Sequence, residues 1–217
     1  EAPPADLPVD FYAMEILSGR DVEGAKECLI AWFALLNRGH RVMAVGSSGS
    51  RGIVGDEAGM ARTFIRMPEG AAGADDAVAR IAGAKWRGVP DSFVTNGPFV
   101  TASLNGGAMG SVQEVGLGEA SLAVRIQAAP WVSVDRAIIY RNGKLVQRLE
   151  VKGKDPVLRL DETVDVGVFG DCWFTVVVEG DRPMVALYGT DAPRSFAVTN
   201  PIWVDADGDG EVRIEDF

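Results

Sequence analysis

Residues 21–38 are the best helix this chain offers, and short apolar runs bound it on both sides. Val22, Ala25, Leu29, Trp32 and Leu36 recur at spacings of three and four, which places them on one face of a helix. Asp21 stands where an N-cap belongs, Glu23 suits the positive end of the helix dipole, and Gly39 falls at the C′ position. Gly24 weakens the first turn by about 1 kcal/mol against alanine. Residues 11–17 before the helix and 42–45 after it read as strands. Strand, helix and strand predict a βαβ unit, hence a parallel pair with a right-handed crossover.

The second strand runs into Gly46-Ser47-Ser48-Gly49-Ser50-Arg51-Gly52. Loops at the C-terminal ends of parallel strands are where α/β proteins hold ligands, because the sheet fixes the loop's base while its sequence varies. This loop has no lysine and lacks the phosphate-binding Gly-x-x-x-x-Gly-Lys pattern. An ordinary solvated turn is the default for such a loop, and an anion cradle of Ser48, Ser50, Arg51 and the loop amides is the alternative. Residues 53–60 read as loop and 63–67 as a strand. A break at 68–73 precedes a second helix over 75–84 with Val78, Ile81 and Ala82 inward, and 86–90 read as a turn.

Several segments follow one another in a telling order. They are Asp10-Phe11-Tyr12-Ala13-Met14-Glu15-Ile16-Leu17-Ser18-Gly19, then Trp32 to His40 leading into the glycine-serine loop, then Arg62-Thr63-Phe64-Ile65-Arg66. Val94-Thr95-Asn96-Gly97-Pro98-Phe99 and Thr199-Asn200-Pro201-Ile202-Trp203-Val204-Asp205 complete the series. In that order they resemble the C-terminal part of the CehA/McbA-type branch of the PHP (polymerase and histidinol phosphatase) metal-dependent phosphoesterases. The resemblance implies that residues 9–98 form the C-terminal portion of a PHP-like (βα) barrel, closed by Asn96-Gly97-Pro98. It also implies that the other barrel half, with its His-x-His element, lies on a missing segment or another protein chain, which would be the partner.

The same resemblance implies a site that has lost its metals. The family's loop reads Gly-x-Ser-Asp-x-His, and its Asp and His bind the catalytic ions. Here Gly46 and Ser48 are kept, while Gly49 stands at the Asp position and Arg51 at the His position. Glycine has no ligand atom, and a guanidinium is a permanent cation. The family's Glu-x-x-Asn-Gly reads Glu15-Ile16-Leu17-Ser18-Gly19, with Ser18 for Asn. Glu15, Ser18, Ser48, Gly49 and Arg51 are therefore vestigial site positions, with no catalytic residue and no catalytic transition metal expected. Glu15 either pairs with Arg51 or faces solvent. His40, the sole histidine, follows a helix C-terminus, where its charged form is favoured without any catalytic role.

Beyond residue 98 helical periodicity stops. Leu122, Val124 and Ile126 alternate with Ala123, Arg125 and Gln127, the pattern of a half-buried strand. Residues 137–140 and 145–151 flank Arg141-Asn142-Gly143-Lys144, and Asn-Gly between apolar runs is a strong hairpin signal. Further strands are expected at 157–160, 163–169, 173–179, 196–198 and 202–204. Many short strands with turn signals predict an immunoglobulin-like β-sandwich over residues 99–204. The expected fold class is thus α/β plus all-β, with residues 1–8 as a Pro-rich linker.

The formal net charge of −10 over 217 residues argues against nucleic acid or an anionic membrane as partner, since both demand clustered Lys and Arg. No apolar run is long enough to span a bilayer. Cys28 and Cys172 read as buried free thiols, with a disulfide between them as the alternative. The acidic balance favours an extracellular or periplasmic, secreted setting.

Residues 205–216 carry the sharpest local motif. Asp205, Asp207 and Asp209 fill the first, third and fifth positions of an EF-hand-like loop, Gly210 the sixth, and Glu211 the seventh, where the backbone carbonyl binds. Asp216 replaces the bidentate Glu at the last position. The expected ion is calcium, held weakly. The alternative is a plain acidic tail.

These readings lead to a degenerate, non-catalytic PHP-like module with a structural or interaction role, part of a larger or processed secreted protein. Two rivals stand beside it. One is a metal-dependent phosphoesterase-like hydrolase whose N-terminal metal-binding half lies on a missing segment or separate chain. The other is a calcium-dependent adhesion or matrix module.

Overall fold

The computed structural model describes residues 8–52, 58–70, 73–83, 88–152 and 155–215. The expected βαβ unit is there. Strand β1 (Ala13–Ser18) and strand β2 (Met43–Ser47) pair in parallel, joined by helix α1 (Val22–Asn37). Asp21 caps the helix by accepting from Gly24 N at 2.8 Å. The unit stops at two strands, and it lies as a layer across a larger sheet.

That larger sheet has eight strands. Its main path is β10 (Lys144–Glu150), β9 (Arg136–Arg141), β12 (Cys172–Pro183), β13 (Arg194–Thr199), β4 (Ser92–Thr95) and β3 (Arg62–Ile65). Strand β14 (Ile202–Asp205) pairs with β12 and with β7 (Val112–Glu114). The smaller sheet runs β11 (Leu158–Val168), β8 (Gly118–Gln127), β5 (Phe99–Leu104) and β6 (Gly107–Ala108). Helix α2 (Ala74–Ala82) lies between β3 and β4 in the chain, and a single turn, α3 (Val185–Tyr188), follows β12.

The large sheet is buried on both faces. Along β12, Cys172, Phe174, Val176 and Val178 point into one core, shared with Leu122, Val124 and Ile126 of β8 and Val100 of β5. Trp173 and Val177 point into the other, with Leu29, Trp32 and Leu36 of α1 and Ile16 and Leu17 of β1. Phe93 and Val94, and likewise Ile202 and Trp203, divide between the same two cores. Each large buried side chain contributes about 1.5–3 kcal/mol, so both layers are held by the central sheet. The order is helix with parallel pair, eight-stranded sheet, then four-stranded sheet.

The expectation of a PHP-like barrel portion followed by an immunoglobulin-like sandwich is therefore corrected. Strand outweighs helix by 45% to 16% and no barrel closes. A (βα) barrel needs a covering helix after each strand, whereas β3 and β4 pair antiparallel with each other and β4 pairs with β13. Strands from both sides of residue 98 thus share one hydrogen-bonded sheet. The two facing sheets do exist, but the larger includes β3 and β4 from the N-terminal part and carries a helical layer on its outer face.

Other local expectations fare differently. Asn142 and Gly143 both have positive φ, 50° and 77°, as a two-residue hairpin turn between twisted strands requires. Of residues 157–160 and 163–169, expected as two strands, 158–160 and 163–168 lie in the single strand β11, and 157 and 169 lie outside it. Helix α2 covers Ala74–Ala82 with none of its residues buried, and of its expected inward side chains Ile81 packs against the Met43 and Val89 cluster while Val78 is exposed. Residues 1–7 of the expected linker, residues 53–57 of the expected loop, and Trp86 all lie outside the described residues.

Candidate functional site

Two clusters carry the site residues expected from sequence. The first lies at the C-terminal ends of β1 and β2. Gly19 N donates to Ser47 O at 2.8 Å, and a Cβ built on Gly49 would sit 3.1 Å from Ser18 Oγ. The Ser18–Gly19 and Ser48–Gly49 turns therefore touch. Glu15 is exposed and accepts from Ser47 Oγ, so its charge meets water and a hydroxyl. Arg51 is exposed at the rim of the same loop. The structure brings Glu15, Ser18 and Gly49 to one end of the parallel pair, and Ser47 is the contact that sequence reasoning passed over.

Behind this cluster the loop is held from the other side. Gly46 N donates to Thr63 Oγ1 at 2.9 Å, and a Cβ at Gly46 would come within 2.6 Å of Val94 Cγ1. Glycine at 46 is thus the close-approach point between the parallel pair and the large sheet.

The second cluster lies where β14 leaves the core. Asp171, in the turn between β11 and β12, offers a carboxylate oxygen within 4.8 Å of those offered by Asp205 and Asp207. Asp205 is 5% exposed. Its Oδ1 accepts from Gly208 N at 2.7 Å and its Oδ2 from Gly210 N at 2.8 Å. Asp171 accepts from Ala206 N at 2.8 Å and Arg213 N at 2.7 Å. A carboxylate has about four lone-pair positions, so each oxygen keeps capacity for a cation after these bonds.

Asp209 and Glu211 take another course. The Arg213 guanidinium donates to both carboxylates, and with the Glu211 N–H it holds the Asp209 carboxyl below the usual range. Asp209 accordingly stands outside the three-carboxylate group among the described residues. Asp216, the expected last ligand, lies outside the described residues. Asp171 was missed because a loop motif read along the chain cannot see a carboxylate supplied by a distant turn. The faint signal for it is Gly170-Asp171 standing between two strands that must turn beside the tail.

This group can do one thing well: hold a hard cation with oxygen ligands. It has no nitrogen or sulfur donor. Both cysteines are free, and burial pushes the Cys172 thiol up to about 12, far from a reactive thiolate. Among the described residues no helix is long and apolar enough to cross a membrane.

No family model, curated protein or solved structure matches this chain.

Proposed function

We propose that the chain is a non-catalytic structural or interaction module whose C-terminal loop is fastened to the sandwich by calcium, in an extracellular or periplasmic setting. The observation that carries this reading is the convergence of Asp171 with Asp205 and Asp207. Three hard oxygen donors on two separate segments let one ion bridge the β11–β12 turn to the tail. Val212 and Ile214 of that tail pack against the helix-side core, so the bridge would bear on α1 and Trp173. Single weak sites of this kind bind at about 0.1–1 mM, which matches calcium outside cells.

The non-catalytic half of the proposal rests on the β1–β2 loops. In the proposed degenerate relative of PHP phosphoesterases, the loop positions persist while Gly49 and Arg51 supply no ligand atom. A protein partner is proposed at β1, which among the described residues pairs with β2 alone. A two-stranded parallel pair is a minimal sheet, and parallel sheets are normally larger and covered.

The test is a thermal melt in about 1 mM calcium and in chelator. A cation at ten times its Kd stabilises by about 1.4 kcal/mol, so the melting temperature should rise in calcium and Asp205→Ala should abolish the rise. Identical melts in all four conditions would sink the calcium reading. Stoichiometric zinc, manganese or iron bound at the Ser48–Arg51 loop would overturn the non-catalytic one.

A further inference from the structure

A cavity of about 590 Å³ lies away from both clusters. It opens between α2, the segment following β3, the approach to β4 and the β6–β7 turn. Met67, Val89, Pro90 and Met109 give it an apolar lining, and Arg41 and Arg80 stand at its walls.

These two arginines differ from others in the chain. Arg66, Arg125, Arg136 and Arg213 each hold a carboxylate within 4.0 Å. Among the described residues Arg41 and Arg80 form no such pair. Arg41 lies over the Trp203 ring, 5.7 Å from its centroid. Arg80 has its Nε buried with no acceptor. The two carboxylates lining the cavity are engaged elsewhere. Asp91 takes Arg66 at 2.6 Å, and Asp76 accepts from Gly73 N at 3.3 Å. Asp91 also attracts Arg80 at longer range, and its Oδ1 is buried without a donor. Arg66, outside the cavity lining, thus takes up the Asp91 charge, which leaves Arg41 and Arg80 facing the cavity with Asp76.

Arg41 is exposed and Arg80 half-buried, but a buried N–H without an acceptor, as at Arg80 Nε, is costly, and the planar guanidinium fork matches a carboxylate or phosphate group two bonds at a time. The cavity volume falls in the range of small-molecule pockets, which are mostly apolar with a few placed polar groups. We propose that this cavity binds a small organic oxyanion, with Arg41 and Arg80 holding the carboxylate or phosphate head and Met67, Val89, Pro90 and Met109 taking a compact apolar body.

The experiment is calorimetric titration of the full chain with phenyl phosphate, benzoate and inorganic phosphate. Either aryl anion should bind saturably, and which one binds tells phosphate from carboxylate. Inorganic phosphate should bind at least several-fold more weakly than phenyl phosphate, because it lacks the apolar body. Arg41→Gln and Arg80→Gln should each weaken the aryl anion by about tenfold or more, whereas Arg125→Gln, on the smaller sheet, should leave it unchanged. Amide NMR of the wild type is the second measurement, with shifts expected at Gly88, Gly110 and Ser111. No saturable binding of either aryl anion up to about 10 mM overturns the proposal. So does unchanged binding in both cavity variants, or NMR shifts confined to residues outside the cavity. Inorganic phosphate binding as tightly as phenyl phosphate overturns the assignment of an organic body.

Discussion

Asn200 closes the open side of β2 at Ala44. Its Oδ1 accepts from Ala44 N at 2.8 Å and its Nδ2 donates to Ala44 O at 3.1 Å, so a side-chain amide stands in for a strand partner. The same Nδ2 reaches Ser92 Oγ at 2.9 Å, and Asn200 is fully buried. One residue thus ties the parallel pair to the central sheet. Asn96 repeats the device on β13, accepting from Phe196 N at 2.7 Å and donating to Arg194 O at 2.9 Å.

Asn200→Ala should therefore be among the most destabilising single changes. It leaves a buried N–H, a buried C=O and the Ser92 hydroxyl without this partner, and each unsatisfied group costs about 1–3 kcal/mol. We expect a loss of about 2–5 kcal/mol in urea unfolding, with faster hydrogen exchange at Ala44. A loss below about 0.5 kcal/mol would mean that the parallel pair is held by packing alone.

What the sequence disclosed, it disclosed through local chemistry. Asp21, the three-and-four spacing to Leu36, and Gly39 were enough for α1. Asn142-Gly143 was enough for the β9–β10 hairpin. The layer order was harder to see, because it depends on which strands meet across the chain. A signal was nonetheless present: Trp173 to Val178, broken only by Thr175, and Phe196 to Val198 are near-continuous apolar runs, whereas 122–127 alternate. Near-continuous runs mark strands covered on both faces, whereas a plain two-sheet sandwich leaves one face of β12 and β13 to solvent. In the site, Asp205 and Asp207 were legible from spacing along one loop, while Asp171 arrives through the β11–β12 turn and has no such register.

The shared sheet makes a second expectation concrete. Residues 9–98 expressed alone lose β13, the partner of β4, and leave Trp32, Leu36 and Val94 without Phe196, Val198 and Trp203. This fragment should show no cooperative thermal transition, and residues 99–217 alone should self-associate through the uncovered Trp173 and Phe196 face. Sedimentation and calorimetry of both pieces check this. A monomeric 9–98 fragment with a sharp melt would show that the parallel layer is self-sufficient.

Arg136 sets a pH dependence. It donates to Glu179 at 2.8 Å and grips Asp181 with two bonds, at 2.7 and 3.1 Å. That grip holds the Asp181 carboxyl below its ordinary range. A depressed folded-state pKa means that the pair adds stability above the unfolded carboxylate range, and that this contribution fades as pH falls through the folded value. Arg136→Gln should raise the Asp181 pKa measured by carboxyl NMR and flatten the acid limb of the stability profile. An unmoved Asp181 titration would show that solvent screens the pair completely.

The carboxylates of the C-terminal loop can be told apart by substitution. Asp171 and Asp209 are close in chemistry but opposite in setting, since one faces Asp205 and Asp207 while the other is held by Arg213. If calcium uses the three-carboxylate group, Asp171→Asn should weaken binding by about tenfold or more, through loss of a charge at the ion. Asp209→Asn should change it by less than about threefold, because that carboxylate is neutralised already. Asp171 also holds Ala206 N and Arg213 N, so its replacement disturbs the turn even without an ion. Melting each variant in chelator isolates that structural loss, and the further shift on adding calcium reports the ion alone. Should Asp209→Asn abolish the calcium shift while Asp171→Asn keeps it, the ion would sit in the linear loop motif and Asp171 would be only a turn cap.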